Sequence, residues 1–340
     1  MQQGSETPAH RTLQIVMVVV PGFNIAATFG FLDPFRAANY LAGRALFRWA
    51  LASPVAGMVR ASNGATLETT GLPTDAPDLA ILSSSWQPEA YFGHPLDACL
   101  RRWSRFGTAL IGLDTGAFGL ADAGLLDGRR ATVHYEHTDA FAETFPTVIA
   151  SEDLYVIDGD RMTCCGGQAA TDLSLQILRG VLGDAAANAA ARYIFHENLR
   201  PECTRQLPES SEPLGKRAPD SLRRAIQTME DHLEEALPIP QIAAQTGLSQ
   251  RQLERLFHQF VGRSPRRYYT DIRLDRARGL VTQTELPLRE IALACGFASA
   301  EHFSRAYRHR FGLTARRDRV EGRVPFEFRA WPMQDRTDVA

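Results

Sequence analysis

The sequence predicts an α/β domain, whose mostly parallel sheet is sandwiched by helices, followed by an all-α domain that contains two helix-turn-helix units. The chain has 340 residues, more than one hydrophobic core usually serves, so two domains are expected. Between Leu13 and Leu199, short apolar runs alternate with helical stretches, which is typical of a parallel sheet covered on both faces. After Asp220 the pattern is wholly helical, and one helical unit occurs twice.

Seven short apolar runs predict the strands of the α/β domain, and segments with helical periodicity separate or follow them. The predicted strands are residues 13–20, 48–53, 79–84, 108–113, 130–135, 154–160 and 161–165. The predicted helices are Ala26–Leu41, Pro95–Phe106, Ala117–Ala123, Thr138–Phe145, Ala169–Leu182 and Ala185–Glu197.

A segment without periodicity separates the two domains. Residues 200–217 are rich in proline, serine and charge, which predicts a linker. The first domain is therefore expected at 11–199 and the second at 218–319, followed by a tail at 320–340 that has no clear pattern.

The charge is unevenly distributed along the chain. The net charge is −2, but residues 216–319 carry 19 Lys and Arg against 12 Asp and Glu, a local balance of +7. The second domain is thus the candidate for binding a polyanion. A solvated helical surface explains the charge equally well.

The sequence predicts neither a membrane segment nor a disulfide framework. The longest apolar run, from Leu13 to Val20, is far shorter than the roughly 20 residues of a membrane helix. The first residues lack the pattern of an export signal, so the cytoplasm is the expected location. The five cysteines are odd in number and have no metal-type spacing, which indicates reduced, mostly buried thiols and no metal site.

The segment that begins at Leu237 is repeated from Leu286. Each copy has a short helix, a glycine turn and a longer helix, with Gly247 and Gly296 in the two turns. Ser249 is expected to cap the longer helix of the first copy. A single copy is compatible with a plain helix pair, but two copies joined by a helix indicate two helix-turn-helix units.

The repeat resembles the DNA-binding domain of the AraC/XylS family of regulators from about Pro219 to Gly312. The stretch GFASAEHFSRAYRHRFG follows that family's C-terminal signature, whereas LTARRDR departs from the family pattern and leaves the end of the last helix open. The resemblance implies that SPRRYYTDIRLDRARGLV is a helix that holds two reading helices about 34 Å apart, one turn of DNA.

The resemblance implies double-stranded DNA as the partner. The implied base readers are Arg251, Glu254 and Arg255 in the first unit and Ala300, Glu301 and Arg305 in the second. Arg can donate two hydrogen bonds to guanine, and Glu can accept one from cytosine. The expected phosphate contacts are Arg266, Arg267, Arg308 and Arg310. A homodimer on adjacent half-sites, contact with RNA polymerase and activation of transcription are also implied.

The segment TALIGLDTGAFGLADAG predicts a strand that ends at Leu113, a tight turn and a helix that begins near Ala117. Asp114 and Thr115 are therefore expected to lie exposed at the carboxyl edge of the sheet, where ligands bind in open α/β sheets. A nucleophile elbow places its reactive residue at the same point. The alternative role for Asp114 is to cap the helix that follows.

Residues 13 to 182, including AGLLDGRRAT and GGQAATD, resemble the PfpI-like, class I glutamine amidotransferase-like superfamily. In particular they resemble the GlxA-type regulators, which join such a domain to an AraC-type reader. In the enzymes of that superfamily the elbow residue is a cysteine, and here it is Asp114. The assisting carboxylate would fall near Ala27, which has no ionisable group. The resemblance thus implies a sensor that keeps the pocket without the catalytic thiol, and it implies no cofactor.

Two other chemistries are consistent with these residues. Asp114 as a nucleophile and His134 as a base would give a hydrolase or hydratase of small amides or nitriles. The run HYEH suggests a metal site. On a strand, however, His134 and Glu136 would point away from Tyr135 and His137, which disfavours a shared ion.

The DTGAF elbow, followed by ATVHYE, resembles the GlxA-type subgroup that controls catabolism of glycine betaine, carnitine, arginine and related compounds. The implied effector is a quaternary ammonium compound or a basic amino acid, which negative charge and aromatic faces would suit. The candidate ligand contacts are Asp114, Thr115, His134, Tyr135, Glu136, Trp86, Phe23 and Asn24. Ordinary core packing explains Phe23 and Trp86 equally well.

Overall fold

The computed structural model describes residues 11–86, 92–93, 95–196, 199–206 and 218–321. Contacts divide the chain into two compact units, Met1–Gln206 and Leu207–Ala340. The first unit is α/β and the second is all-α, which confirms the predicted fold class. Within the described residues, no helix is both long enough and apolar enough to cross a membrane.

The first unit alternates strands with helices. Its strands are β1 Leu13–Val19, β2 Phe47–Ala52, β3 Gly57–Arg60, β4 Thr66–Thr69, β5 Leu79–Ser84, β6 Ala109–Asp114, β7 Arg130–Thr132, β8 Ile149–Ser151, β9 Tyr155–Asp158 and β10 Arg161–Cys164. Its helices are α1 Ile25–Ala42, α2 Leu96–Arg105, α3 Gly116–Asp122, α4 Thr138–Thr144, α5 Ala169–Leu182 and α6 Asp184–Tyr193. A 3-10 turn covers Tyr135–His137.

The central sheet has six strands in the order β2-β1-β5-β6-β10-β9. All neighbouring pairs are parallel except the antiparallel pair β10 and β9. From β1 the chain runs first to β2 on one side and later to β5 on the other, so the strand order reverses between β1 and β5. In open α/β sheets, the crevice at such a reversal is where ligands bind.

Side chains of β1 alternate between two hydrophobic cores, as a doubly covered strand requires. Ile15, Met17 and Val19 pack with helices α1, α5 and α6 on one face of the sheet. Val16 and Val18 pack with α2, α3 and α4 on the other face. The apolar run at the start of the chain is therefore a buried central strand.

The structure corrects three details of the predicted elements. The strand predicted at 130–135 ends at Thr132, because the His134 carbonyl accepts a hydrogen bond from the His137 amide at 2.8 Å and closes a 3-10 turn. The short strands β3, β4 and β8 carry too few residues to show a pattern in the sequence. Residues 200–206 of the predicted linker pack in the first unit, whereas the rest of the linker and the tail after residue 321 lie outside the described residues.

The second unit contains seven helices within its described residues. They are α7 Asp220–Glu230, α8 Ile239–Gln245, α9 Gln250–Phe260, α10 Pro265–Gln283, α11 Leu288–Ala294, α12 Ala300–Phe311 and α13 Ala315–Glu321. Two apolar clusters form its core, one around each helix-turn-helix unit. Helix α10 joins them, because Tyr269 packs in the first cluster and Leu274 in the second.

The segment LTARRDR, which departs from the family pattern, leads into α13, the last described helix. Asp318 on α13 is fully buried and accepts hydrogen bonds from the Tyr307 hydroxyl at 2.8 Å and from Arg278 Nε at 2.9 Å. Asp318 therefore fastens α13 to both α12 and α10.

Candidate functional site

The β6–α3 junction has the strained geometry of an elbow. Asp114 has a φ of 61°, in the left-handed region that non-glycine residues rarely adopt. Close packing of α3 on the sheet requires glycine next to this turn. A β carbon at Gly112 would lie 2.6 Å from the Ala117 nitrogen, and one at Gly116 would overlap the Leu82 carbonyl oxygen.

The prediction that Asp114 and Thr115 are exposed is wrong. Asp114 is only 4% exposed and Thr115 is fully buried, because β5 and the start of α1 cover the turn. Asp114 Oδ2 accepts hydrogen bonds from Asn24 Nδ2 at 3.1 Å and from Ser85 Oγ at 3.2 Å. The elbow thus presents a buried carboxylate with both of these bonds on one oxygen.

The alternative role of Asp114 as a helix cap is also wrong. Thr115 is the residue that precedes α3, and no side chain caps that helix. The Thr115 hydroxyl instead bonds Ser84 Oγ at 2.8 Å and the Ser85 carbonyl at 2.7 Å. Thr115 therefore ties the elbow to β5 through its side chain.

Asn24 orients the carboxylate. It precedes α1, and its Oδ1 accepts from the Ala27 amide at 3.2 Å, which leaves its Nδ2 free to donate to Asp114. Ala27 itself is fully buried in the first turn of the helix. One amide side chain therefore caps α1 and holds Asp114 at the same time.

Burial raises the pKa of Asp114 from its ordinary value of 3.8 to about 6. The charge interaction with His134 and the hydrogen bonds from Asn24 and Ser85 oppose this shift, and the charge interaction with Glu136 adds to it. Among the described residues, His134 is the only cationic group that acts on this pKa. No lysine or arginine in the described ranges acts on the pKa of the buried carboxylate.

His134, Tyr135 and Glu136 lie together beside the elbow. His134 Nδ1 accepts a bond from the Glu136 amide at 3.4 Å, and Tyr135 stacks on the His134 ring at a centroid distance of 4.5 Å. All three side chains are partly or largely exposed. Because the segment is a 3-10 turn, the strand alternation predicted for HYEH does not occur. The described residues contain no cluster of three metal-binding side chains.

The three candidate aromatic residues have different environments. Phe23 is fully buried in the core between the sheet and α1, so it is a packing residue. Trp86 is half-buried and contacts the buried His137 ring edge-on at 6.2 Å. Tyr135 is 48% exposed. Trp86 and Tyr135 are therefore the aromatic faces available near the elbow.

Two neighbours of the elbow, Ser85 and Cys164, were missed by the sequence analysis. Ser85 directly follows β5 as the last residue of the run SSS. Cys164 lies at the end of β10, where burial raises the pKa of its thiol and Asp114 adds to that effect. Gly166, two residues after Cys164, has a φ of 92°, and a β carbon there would lie 3.1 Å from Asp114 Oδ2. The motif GGQAATD therefore leaves room beside the carboxylate.

The second unit exposes one face of each longer helix. In α9 the exposed residues include Arg251, Glu254 and Arg255, while Leu253 and Phe257 are buried. Ser249 caps this helix as predicted, since the Gln252 backbone amide donates to its hydroxyl at 3.3 Å. In return, the Gln252 side-chain Oε1 accepts from the Ser249 backbone amide at 2.8 Å.

The second copy repeats this arrangement in α12. Phe303 and Tyr307 are buried, and Ser299 caps the helix. The exposed residues include Ala300, Glu301, Arg305 and Arg308. Apart from Arg310, the charged candidates on α9 and α12 form no ion pair or side-chain hydrogen bond in the part of the chain that the structure describes.

The structure does not support Arg310 as a free phosphate contact. Its guanidinium pairs with Asp275 at 2.5 Å and with Asp271 at 3.0 Å, which fastens α12 to α10. Arg266 and Arg267, at the start of α10, are exposed. They remain the candidates for phosphate contact on that helix.

Comparisons with known proteins agree with both halves of this description. A family model described as a helix-turn-helix domain matches residues 242–320. The HTH-type transcriptional regulator CdhR of Pseudomonas aeruginosa is 36% identical over 305 residues, which cover 89% of this chain and 90% of CdhR. The HTH-type transcriptional regulator GlxA of Rhizobium meliloti is 33% identical over 304 residues, 88% of this chain and 94% of GlxA.

A solved structure shows the fold of the first unit. The crystal structure of a THiJ/PfpI family protein from Pseudomonas syringae aligns with a TM-score of 0.50 and 20% identity, covering 68% of this chain and 93% of that one. A PfpI-like α/β unit joined to two helix-turn-helix units defines a DNA-binding transcription regulator. The chain belongs to the family of HTH-type transcriptional regulators that includes CdhR and GlxA, with an AraC-type DNA-binding domain. Its first unit has a PfpI-like fold.

Proposed function

We propose that the first unit is a non-catalytic sensor for a small cationic metabolite, which controls DNA binding by the second unit. The observation that carries this proposal is the buried Asp114 carboxylate, which no lysine or arginine among the described residues compensates. Burying an unpaired carboxylate is costly, and a bound cation would offset that cost. In this proposal residues 11–206 sense the metabolite, 207–217 link, and 218–319 bind DNA.

The class of metabolite follows from the groups around Asp114. Glu136 adds negative charge, and Trp86 and Tyr135 supply aromatic faces for a cation. A quaternary ammonium compound or a basic amino acid has the required charge. Glycine betaine, L-carnitine and L-arginine are the probes for a thermal-shift screen, because a ligand that binds only the folded state raises Tm. A chain that none of them stabilises would contradict this class.

The absence of catalysis is a separate claim. Asp114 occupies the elbow position that carries cysteine in the related enzymes, and Ala27 has no acid to assist it. The competing function, a hydrolase or hydratase, draws support from His134, which interacts electrostatically with Asp114 and could act as a base. Assays of the full chain with amide, nitrile and α-ketoaldehyde substrates separate the two. We expect no turnover, and turnover that disappears in Asp114→Asn would establish the enzyme.

In the second unit, we assign base reading to the exposed faces of α9 and α12. Arg251, Glu254 and Arg255 act on one half of the site. Ala300, Glu301 and Arg305 act on the other half. Arg266, Arg267 and Arg308 bind phosphate groups and add affinity without sequence choice. Selection of an operator from random duplexes, followed by alanine variants of these residues, tests the assignment.

The regulator acts as a homodimer that activates transcription through RNA polymerase. Two copies on adjacent half-sites provide four reading helices, which increases both affinity and specificity. Sedimentation of the full chain with and without operator DNA measures the oligomeric state. A single copy on the complete operator would contradict the homodimer.

A further inference from the structure

Residues 199–206, called here the exit segment, are the last described part of the first unit before the chain continues into the second. Their polar composition is that of a linker, yet they are held firmly. Two sets of hydrogen bonds fix the two ends of the segment to different parts of the first unit.

The beginning of the exit segment is bound to Asp172 on α5. Asp172 is fully buried, and Arg200 donates to its Oδ2 from Nε at 2.8 Å. The Arg200 backbone amide donates to Oδ1 at 3.2 Å, and His196 Nε2 lies 2.7 Å from the same oxygen. The Tyr155 hydroxyl donates to the Arg200 carbonyl at 2.8 Å. Breaking these bonds would leave a buried charge unpaired, so this end is fixed.

The other end of the exit segment depends on Gln206. Its Nε2 donates to Thr132 Oγ1 at 2.9 Å, to the Val133 carbonyl at 2.8 Å and to the Asp153 carbonyl at 3.2 Å. The Gln206 amide donates to the Glu152 carbonyl at 2.9 Å. None of these bonds of Gln206 involves a charged side chain. The neighbouring Arg205 pairs with Glu152, but both side chains are largely exposed, so this pair contributes little and this end is easier to release than the Asp172 end.

The partners of Gln206 adjoin the candidate effector site. Thr132 ends β7, and Val133 is bonded covalently to His134, whose charge acts on Asp114. Only Val133 and His134 separate the end of β7 from the turn, so a ligand that contacts His134 acts on the residue next to the Val133 carbonyl. The acceptors of Gln206 thus adjoin the ligand site.

We propose that Gln206 is a positioning residue that couples the effector site to the linker, by docking the exit segment on the Thr132–Val133 backbone in one ligation state and releasing it in the other. The inference rests on the proposed function, since it takes the Asp114 and His134 region as the effector site. A ligand shifts this equilibrium only as far as it prefers one state. The covalent path from Gln206 leads directly to residue 207 and the second unit.

Hydrogen exchange of the full chain tests the coupling without any ligand. Gln206→Glu keeps the shape of the side chain but replaces its NH2 donor by a carboxylate oxygen. The carbonyl oxygens of Val133 and Asp153, which accept from Gln206 in the wild type, repel that oxygen. We expect amides in 130–137 and 204–206 to exchange about tenfold faster, while those of β1 keep wild-type rates. Thr132→Val, which removes an acceptor from the other side, should also speed exchange at 204–206. Cys203→Ser, at an exposed position in the same segment, is the matched control.

Two outcomes of the exchange experiment would overturn the inference. One is faster exchange at 204–206 with wild-type rates at 130–137 in Gln206→Glu, because the two segments would then be independent. The other is faster exchange throughout the first unit, because Gln206 would then serve only stability.

A reporter assay tests the coupling in function. For whichever of glycine betaine, L-carnitine and L-arginine raises the Tm of the wild type, Gln206→Glu should keep that increase and its operator affinity. The ratio of reporter output with and without the probe should fall to about one. A wild-type ratio in Gln206→Glu would refute the coupling. If no probe stabilises the wild type, the proposed function fails, and the exchange experiment still decides whether Gln206 couples the two segments.

Discussion

Neutralising Asp114 should stabilise the first unit while it removes effector binding. Asp114→Asn retains an oxygen that can accept from Asn24 and Ser85, and asparagine tolerates the left-handed φ of 61° at this turn. The substitution therefore removes the buried charge and keeps the geometry. Its effect on stability follows from the pKa of Asp114.

The pKa of Asp114 lies at about 6 in the folded chain, above its ordinary 3.8, so the folded state holds the proton more tightly than the unfolded state. Stability must then fall as the pH rises from about 4 to 6, because the unfolded chain has released its proton and the folded chain has not. At 1.36 kcal/mol for each pH unit, the ionised carboxylate costs about 3 kcal/mol above pH 7. Near pH 4 the cost is about half a kcal/mol.

Urea denaturation at pH 7.5 and pH 4 measures the difference between wild type and Asp114→Asn. Three of the four tryptophans, Trp49, Trp86 and Trp103, lie in the first unit and report on its unfolding by fluorescence. We expect the variant to be more stable by about 3 kcal/mol at pH 7.5 and nearly equal to wild type at pH 4.

The matched control neutralises a more exposed carboxylate near the elbow. Glu136→Gln should change stability by less than about 0.5 kcal/mol, because the Glu136 side chain is well solvated. Equal stability of Asp114→Asn and wild type at pH 7.5 would refute the reasoning, and so would a difference that persists unchanged at pH 4.

Further predictions concern the effector and the second unit. A cationic effector should bind about tenfold more weakly for each pH unit below 6, since Asp114 must first lose a proton; calorimetry showing a pH-independent affinity would remove Asp114 from the site. Arg255→Ala or Arg305→Ala should cost about 1–3 kcal/mol at one half-site and relax base preference there, and wild-type binding by both in competition assays would disprove the assigned faces. Arg308→Ala should weaken binding to all sequences alike and lower the salt slope by about 1, whereas a loss confined to one operator sequence would make it a base reader. Asp318→Ala should lower the unfolding free energy of the second unit by about 2 kcal/mol, because it leaves a buried hydroxyl and a guanidinium unpaired; unchanged urea unfolding would show that this network contributes nothing.

The second unit could be predicted from the sequence almost completely, because its determinants are local. Gly247 and Gly296 mark the turns, and both have the left-handed φ that the motif requires. Ser249 precedes its helix and caps it. Arg310 is the exception, since its acidic partners on α10 precede it by 35 and 39 residues in the chain and only the fold brings them together.

The elbow could be located from the sequence but its surroundings could not. The run of small residues after Leu113 predicts the tight turn, whereas the burial of Asp114 depends on Asn24 and Ser85, which are distant in the chain. The exit segment shows the same limit. Its polar residues have the composition of a linker, and only the packed unit places Gln206 against the backbone at Val133.

The most direct test of the central claim is reporter output from a selected operator in cells that carry wild type or Asp114→Asn, with and without the stabilising probe. Operator affinity without the probe is measured in parallel. We predict that Asp114→Asn binds the operator like wild type and no longer responds to the probe, because the buried carboxylate provides most of the interaction with the cation. A folded Asp114→Asn variant that responds like wild type would contradict the claim that this site senses the effector.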